Sequence, residues 1–191
     1  MRVPESRKDE AFALAIKEAE NTTVGDPKAN DTTIGPLVSD IQCNKVQTLI
    51  DAGVSEGATL LVGGTGKPDG LDKGYYVKPT VFGDVTNDMT IAREEIFGPV
   101  LSIITYTDID EAISIANDSE YGLAAYVAGK NKEDLTAIAR RLRAGQIHLN
   151  YGSGGADAPF GGYKQSGNGR EKAEWGFEEF LEVKAIMESF S

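Results

Sequence analysis

The residues best placed to do chemistry in this sequence stand in one run, Ala92-Arg93-Glu94-Glu95-Ile96-Phe97-Gly98-Pro99-Val100. Two adjacent carboxylates and an aromatic lead into Gly-Pro, and an apolar strand pattern follows over residues 100–106. A glycine before a proline is pushed to an extended or turn conformation, and the proline fixes its own φ. Such a turn can hold Glu95 and Phe97 in one orientation at the mouth of a strand. A carboxylate held this way accepts hydrogen bonds from a vicinal diol, and a ring beside it walls off a flat heterocycle. The plainer alternative is a solvated glutamate pair and a core phenylalanine, and the run by itself leaves both open.

Other reactive side chains are few. Cys43 is the only cysteine, which excludes a disulfide within the chain and suits a reducing compartment. It falls inside a helical pattern with no neighbouring motif, so it reads as a small apolar residue. His148, the only histidine, lies mid-strand without a Cys or His partner; it reads as structural, and no metal site is expected. Glu94 reads as a solvated charge at a helix entry. Residues 151–170 crowd Gly152, Gly154, Gly155, Gly161, Gly162, Gly167 and Gly169 around Pro159-Phe160. Glycines so dense imply sharp turns or close approach of the backbone. Their spacing matches neither a P-loop nor a dinucleotide fingerprint, so a phosphate cradle is set aside.

The elements that must position these residues follow from periodicity. Met1-Arg2-Val3-Pro4 reads as the end of a strand. Ser6 or Asp9 can cap a helix with the stripe Phe12, Ala15, Ile16 and Ala19, and Ser39 or Asp40 a second with Val46, Leu49, Ile50 and Gly53 on one side. Residues 58–62, 75–77 and 79–82 read as strands, as does the run 100–106. Asp108 with Glu111 forms a capping box for a helix bearing Ile109, Ala112, Ile113 and Ala116. A strand through Val127 comes next. Asn131 then caps a helix with Leu135, Ile138, Ala139 and Leu142, Gly145 closes it, and residues 146–150 form another strand. A short helix over 170–176 precedes a period-2 strand over 180–187, which needs an edge to pair with, such as that of another subunit. Strand and helix alternating at this spacing predict an α/β fold, a mostly parallel sheet flanked by helices.

Composition sets the frame. The 191 residues are 40% hydrophobic and 26% charged, in keeping with one large soluble domain. A net charge of −11 argues against nucleic acid or an anionic membrane as partner. No run approaches the length of a membrane span and no charged-then-apolar leader opens the chain, so a cytoplasmic protein is expected.

Taken together, the motifs carry a resemblance. Gly35-Pro36-Leu37, Gly74-Tyr75-Tyr76, Pro79-Thr80-Val81-Phe82, Met89-Thr90-Ile91-Ala92 and Glu94-Glu95-Ile96-Phe97-Gly98-Pro99-Val100 come in order along the first half. Asn117 with Tyr121-Gly122-Leu123, Gly145-Gln146-Ile147 with Asn150, Pro159-Phe160-Gly161-Gly162-Tyr163-Lys164-Gln165-Ser166-Gly167, Gly169-Arg170-Glu171 and Glu182-Val183-Lys184 continue it. With these, essentially the whole chain resembles the C-terminal, catalytic-domain portion of the NAD(P)-dependent aldehyde dehydrogenases. The resemblance implies that Glu95 binds the ribose next to nicotinamide, that Phe97 packs beside the nicotinamide ring, and that Gln42 and Lys45 reach the same ribose. It implies that Phe160 and the loop 151–158 before it form part of the substrate tunnel, here with a wall of small residues. It further implies a catalytic domain over 1–178 and an oligomerisation strand over 179–191, hence a homo-oligomer.

In that family a Cys thiolate attacks the aldehyde, hydride passes to NAD or NADP, and a Glu-activated water releases the acid. The Cys lies upstream of the strand that ends at Arg2-Val3-Pro4, and the general base and cofactor half lie further upstream. No catalytic residue is therefore assigned here, and the 191 residues alone are expected to be inactive. Two other expectations stand beside this one: an oligomerisation or interaction module without catalysis, and a non-oxidative relative such as an acyl-phosphate reductase. The Glu-Glu-Ile-Phe-Gly-Pro run fits the oxidising enzymes better.

Overall fold

A computed structural model describes residues 1–189, in two compact units, Met1–Ala112 and Ile113–Ser191. In the first, strand β1 (Arg2–Pro4) leads through a 3-10 turn (Glu5–Arg7) into helix α1 (Lys8–Glu20). The 3-10 turn displaces the expected cap: the helix begins after Arg7 with no side-chain cap, and Arg7 instead pairs with Glu10 at 2.7 Å. Helix α2 (Asp40–Ser55) begins as expected, with Ser39 Oγ accepting from the Gln42 amide N–H, and it buries Val46, Leu49, Ile50 and Gly53.

Strand β2 (Thr59–Val62) runs antiparallel to β3 (Thr80–Gly83). After the short helix α3 (Thr90–Arg93), β4 (Val100–Ser102) lies parallel to β3, with Thr80 opposite Val100. Strand β5 (Ile104–Tyr106) lies parallel to β1, with Arg2 opposite Ile104. Ile103 separates β4 from β5: its N–H donates to Phe82 O at 2.9 Å and its carbonyl accepts from Val85, whereas Ile104 N–H donates to Met1 O at 2.9 Å. The expected single strand over 100–106 thus carries β3 on one edge and β1 on the other. Tyr75-Tyr76-Val77, expected as a strand, is a loop whose Tyr75 carbonyl accepts from Leu37 N–H.

All of β3 is buried, as strands covered on both faces are. On one side Phe82, fully buried, faces α2, where a Cβ on Gly53 would stand 3.2 Å from Phe82 Cζ. On the other side a Cβ on Gly83 would stand 2.5 Å from Phe12 Cζ of α1. The one buried polar side chain among the described residues, Thr80, is satisfied: its Oγ1 donates to Lys78 O at 2.8 Å and accepts from Gly64 N–H at 3.1 Å. Where β3 ends, Lys8 of α1 pairs with Asp84, and that contact and a hydrogen bond from Thr59 hold the Asp84 carboxyl below its ordinary pKa.

Helix α4 (Ile109–Asn117) begins at the expected box, with Asp108 Oδ1 accepting from Glu111 N–H at 2.8 Å. Glu111 reaches back one residue further than expected, to Thr107 N–H at 2.7 Å. In the second unit β6 (Ala124–Val127), α5 (Lys132–Arg141) and β7 (Gln146–Leu149) form the expected βαβ unit, its strands parallel and in register from Ala124–Gln146 to Val127–Leu149. Asn131 caps α5 by accepting from both Glu133 and Asp134 N–H. The Lys164 ammonium donates to Asn117 O and Ser119 O, the carbonyls left open where α4 ends.

The chain then runs through a 3-10 turn (Lys164–Ser166) to α6 (Ala173–Glu178), three residues later than expected. The expected strand over 180–187 is not formed among the described residues. A strand exists only by pairing, and nothing in the described residues pairs with this segment, so Val183, Ile186 and Met187 stand almost fully exposed. Residues 190 and 191 of the expected oligomerisation segment lie outside the described residues. The fold is α/β, with mostly parallel ladders flanked by helices.

Candidate functional site

The turn at 94–98 is built on helix α2. Ser39 fixes the start of that helix, which sets Gln42, Lys45 and Val46 on one face at i, i+3 and i+4. Gln42 Nε2 donates to Ile96 O at 2.9 Å and to Phe97 O at 3.1 Å, and Lys45 Nζ donates to Glu95 O at 2.8 Å. Ile96 is buried beneath the turn, while Phe97 projects with 71% of its surface exposed. The sharp bend is made by Phe97, at φ 58°, and not by Gly98. Gly98 is required for a different reason, since a Cβ there would lie 2.7 Å from Val46 Cγ2. Past it, Val100 N–H donates back to Gly98 O at 2.8 Å, and the Pro99 carbonyl accepts from Thr80 N–H, which delivers the chain into β4.

Glu94, Glu95 and Phe97 border an open cleft of about 320 Å³, closed on its other sides by Arg2, Leu101, Ser102 and Ile104. The Glu95 carboxylate is exposed and takes no partner among the described residues. An unpartnered carboxylate and a projecting ring on one rigid turn, beside an open cleft, match what a ribose diol and a flat ring need. Four of the expected residues, Glu95, Phe97, Gln42 and Lys45, are therefore brought together. Sequence reasoning missed the β1 and β5 side of the cleft, and no local pattern links positions a hundred residues apart.

Phe160 belongs to the second unit and is half-buried. It is tied to Glu171 by two backbone hydrogen bonds of 2.8 and 2.7 Å, and Lys172 Nζ stands 5.5 Å from its ring centroid. With Leu123, Arg170 and Phe180 it borders a cleft of about 490 Å³. The glycines around it serve close approach of backbone to backbone. A Cβ on Gly145 would fall 1.7 Å from Gly161 O, and one on Gly161 would fall 2.3 Å from Gly169 O. His148 stacks on Tyr126 across β6 and β7 at 4.6 Å, and its Nδ1 lies 2.6 Å from Gly152 O. No cluster of potential metal ligands occurs among the described residues, and no helix there is long and apolar enough to cross a membrane.

Comparison with known proteins decides the family. A model of the aldehyde dehydrogenase family matches residues 1–186. The chain belongs to the aldehyde dehydrogenase family. A provisionally named aldehyde dehydrogenase of Staphylococcus haemolyticus is 54% identical over 189 residues, covering 99% of this chain and 40% of that protein. A second, from Staphylococcus saprophyticus, is 55% identical over 185 residues, 96% of this chain and 39% of that one. Among solved structures, a cysteine-to-alanine variant of aldehyde dehydrogenase C from Pseudomonas syringae, complexed with NAD+ and octanal, is 53% identical with a TM-score of 0.94. That match covers 97% of this chain and 38% of the other. An aldehyde dehydrogenase from Bartonella henselae is 46% identical, also with a TM-score of 0.94, over 97% of this chain and 39% of that one. The chain thus spans about two fifths of the length of the aldehyde dehydrogenases it matches.

Proposed function

We propose that this chain forms part of an NAD(P)+-dependent aldehyde dehydrogenase that oxidises an aldehyde to a carboxylic acid in the cytoplasm. The observation that carries the proposal is the turn itself: an exposed, unpartnered Glu95 carboxylate two residues from a projecting Phe97, beside an open cleft. Glu95 binds the ribose diol next to nicotinamide, Phe97 packs beside the nicotinamide ring, and Gln42 and Lys45 reach the same ribose. The nicotinamide would supply the hydride acceptor. Phe160 and the loop 151–158 contribute to the substrate tunnel, and the catalytic portion of the chain extends over 1–178. The chain's one thiol, Cys43, lies within helix α2, and the sequence carries no phosphate-binding fingerprint. The 191 residues alone are therefore inactive as a dehydrogenase and hold only a weak nicotinamide-ribose surface.

Two measurements test this. The isolated chain, mixed with octanal and NAD+, is expected to form no NADH; measurable turnover would refute its inactivity. Nicotinamide mononucleotide is expected to shift the NMR signals of the turn. Glu95→Ala should weaken that binding by about 10- to 100-fold, the worth of hydrogen bonds to a charged group. Wild-type affinity in the variant would remove Glu95 from the site.

A second property is favoured by the tail. Phe177, Phe180, Val183, Ile186 and Met187 are exposed together, a larger apolar stretch than soluble monomers usually leave to water. We propose that residues 179–191 act as the oligomerisation strand, pairing with another copy of the chain. Sedimentation is expected to give a mass above 20.4 kDa at high concentration and a monomer once Val183 and Ile186 are both replaced by Lys. A wild-type chain that stays monomeric would count against this.

A further inference from the structure

Phe97 holds a left-handed φ of 58°, and a bulky residue persists there only where its surroundings over-determine it. Its φ and ψ are set by the relative tilt of two peptide planes, one carrying the Ile96 carbonyl and the other the Phe97 carbonyl. A single side-chain amide, Gln42 Nε2, donates to both of these oxygens, at 2.9 and 3.1 Å. The preceding carbonyl, of Glu95, is held by Lys45 Nζ at 2.8 Å. Three successive peptide planes are thus tied to one face of one helix, and Val46 on that face packs against Gly98 at the far end of the turn.

We infer that Gln42 and Lys45, besides reaching the ribose, are positioning residues that hold the strained turn at 95–97 and so act on a bound nicotinamide riboside through the turn's backbone as well. The functional consequence rests on the proposed roles of Glu95 and Phe97; the brace itself does not. With the Gln42 donors removed, the two peptide planes that flank Phe97 lose their shared tie, and relaxation of Phe97 towards a negative φ swings its ring away from the cleft. Lys45 steadies the plane on which the Glu95 side chain is mounted. A preorganised turn binds a ligand without first having to be ordered, so the brace is read out as affinity.

The test uses the 191-residue chain, amide relaxation by NMR, and nicotinamide mononucleotide as the titrant. Gln42→Met keeps the length of the side chain and removes its donors. It is expected to lower the order parameters of the Phe97 and Gly98 amides from about 0.85 to below about 0.6. Binding of the mononucleotide should weaken about tenfold with it. Lys45→Met should loosen the Ile96 amide to a smaller extent, and Lys45→Arg, which restores a donor, should leave both readouts at wild type. Lys45 is exposed, so its variants keep the test open should Gln42→Met fail to fold. Wild-type order parameters in the folded methionine variants would overturn the brace, and a fall in binding alongside them would make Gln42 and Lys45 direct ligands only. Loosened variants beside a wild-type chain that does not bind the mononucleotide would leave the brace standing and remove the ribose role.

Discussion

Gly145→Ala is expected to unfold the second unit under conditions in which the wild-type chain is native. Gly145 follows α5 and opens β7; its N–H donates to Gly122 O at 3.0 Å, and its α-carbon lies against the backbone of the glycine-rich segment. A methyl group there would sit 1.7 Å from the Gly161 carbonyl oxygen and 3.2 Å from Gly162 Cα. Most overpacked sites cost about 1–3 kcal/mol because a side chain can turn aside. Here the obstacle is main chain. Gly161 cannot retreat freely, since Gly169 O stands only 2.3 Å from where its own Cβ would be and Gly122 O accepts from Tyr163 N–H just beyond. The cost should therefore exceed the usual range and consume much of the stability of a unit in which Ile113 and Leu135 are the buried hydrophobic side chains among the described residues. Trp175, the only tryptophan, lies in this unit, so the loss is visible as a lowered urea midpoint in tryptophan fluorescence. A midpoint matching wild type would mean that the two backbones part at no cost.

Phe82→Ala should do comparable damage to the first unit by the opposite means. Phe82 is fully buried on β3 and packs under α2. Truncation leaves a cavity beneath the helix, and phenylalanine-to-alanine changes in packed cores cost about 3–5 kcal/mol. Against a typical total of about 5–15 kcal/mol that is a large share. Collapse cannot readily fill the space, because β3 is fixed by ladders on both edges and Gly83 is clamped on its other face by Phe12. Urea unfolding followed by far-UV circular dichroism measures the change, and a loss below about 1 kcal/mol would show that the helix settles into the gap. Phe82 does not line the cleft, but it supports the helix that carries Gln42 and Lys45. A folded Phe82→Ala chain should therefore also bind nicotinamide mononucleotide less well.

What could be seen in the sequence was whatever is decided locally. Helix α2 lies where Ser39 and the Val46, Leu49, Ile50, Gly53 stripe place it, because a cap and a 3.6-residue period need only near neighbours. The β6-α5-β7 unit was legible for the same reason, down to the Asn131 cap. At the site, residue types and order pointed to Glu95 and Phe97 but misplaced the strain. Gly-Pro suggested that the glycine makes the bend, whereas Phe97 makes it and Gly98 is there to let Val46 approach. A left-handed phenylalanine has no signature in sequence, because it is imposed by donors on a helix some fifty residues away. The bonds from Gln42 and Lys45 to the turn were hidden likewise, although their i, i+3 spacing placed them on one face. The tail failed for a related reason: period-2 alternation describes which face is apolar, but a strand also requires a partner edge, and the described residues offer none.

The ladder of β1 with β5 differs from that of β6 with β7 in how much chain must be gathered before it forms. β6 and β7 pair across about twenty residues, β1 and β5 across about a hundred. Loop-closure entropy alone makes the longer closure harder by roughly 1.4 kcal/mol. On the ribosome β1 must also wait until residue 106 has emerged, so β1 spends time unpaired. The cleft has its floor early, from the turn at 94–98 and β4, and acquires the wall that β1 contributes last. The order in which the chain is assembled therefore leaves this face of the cleft as its final surface to close.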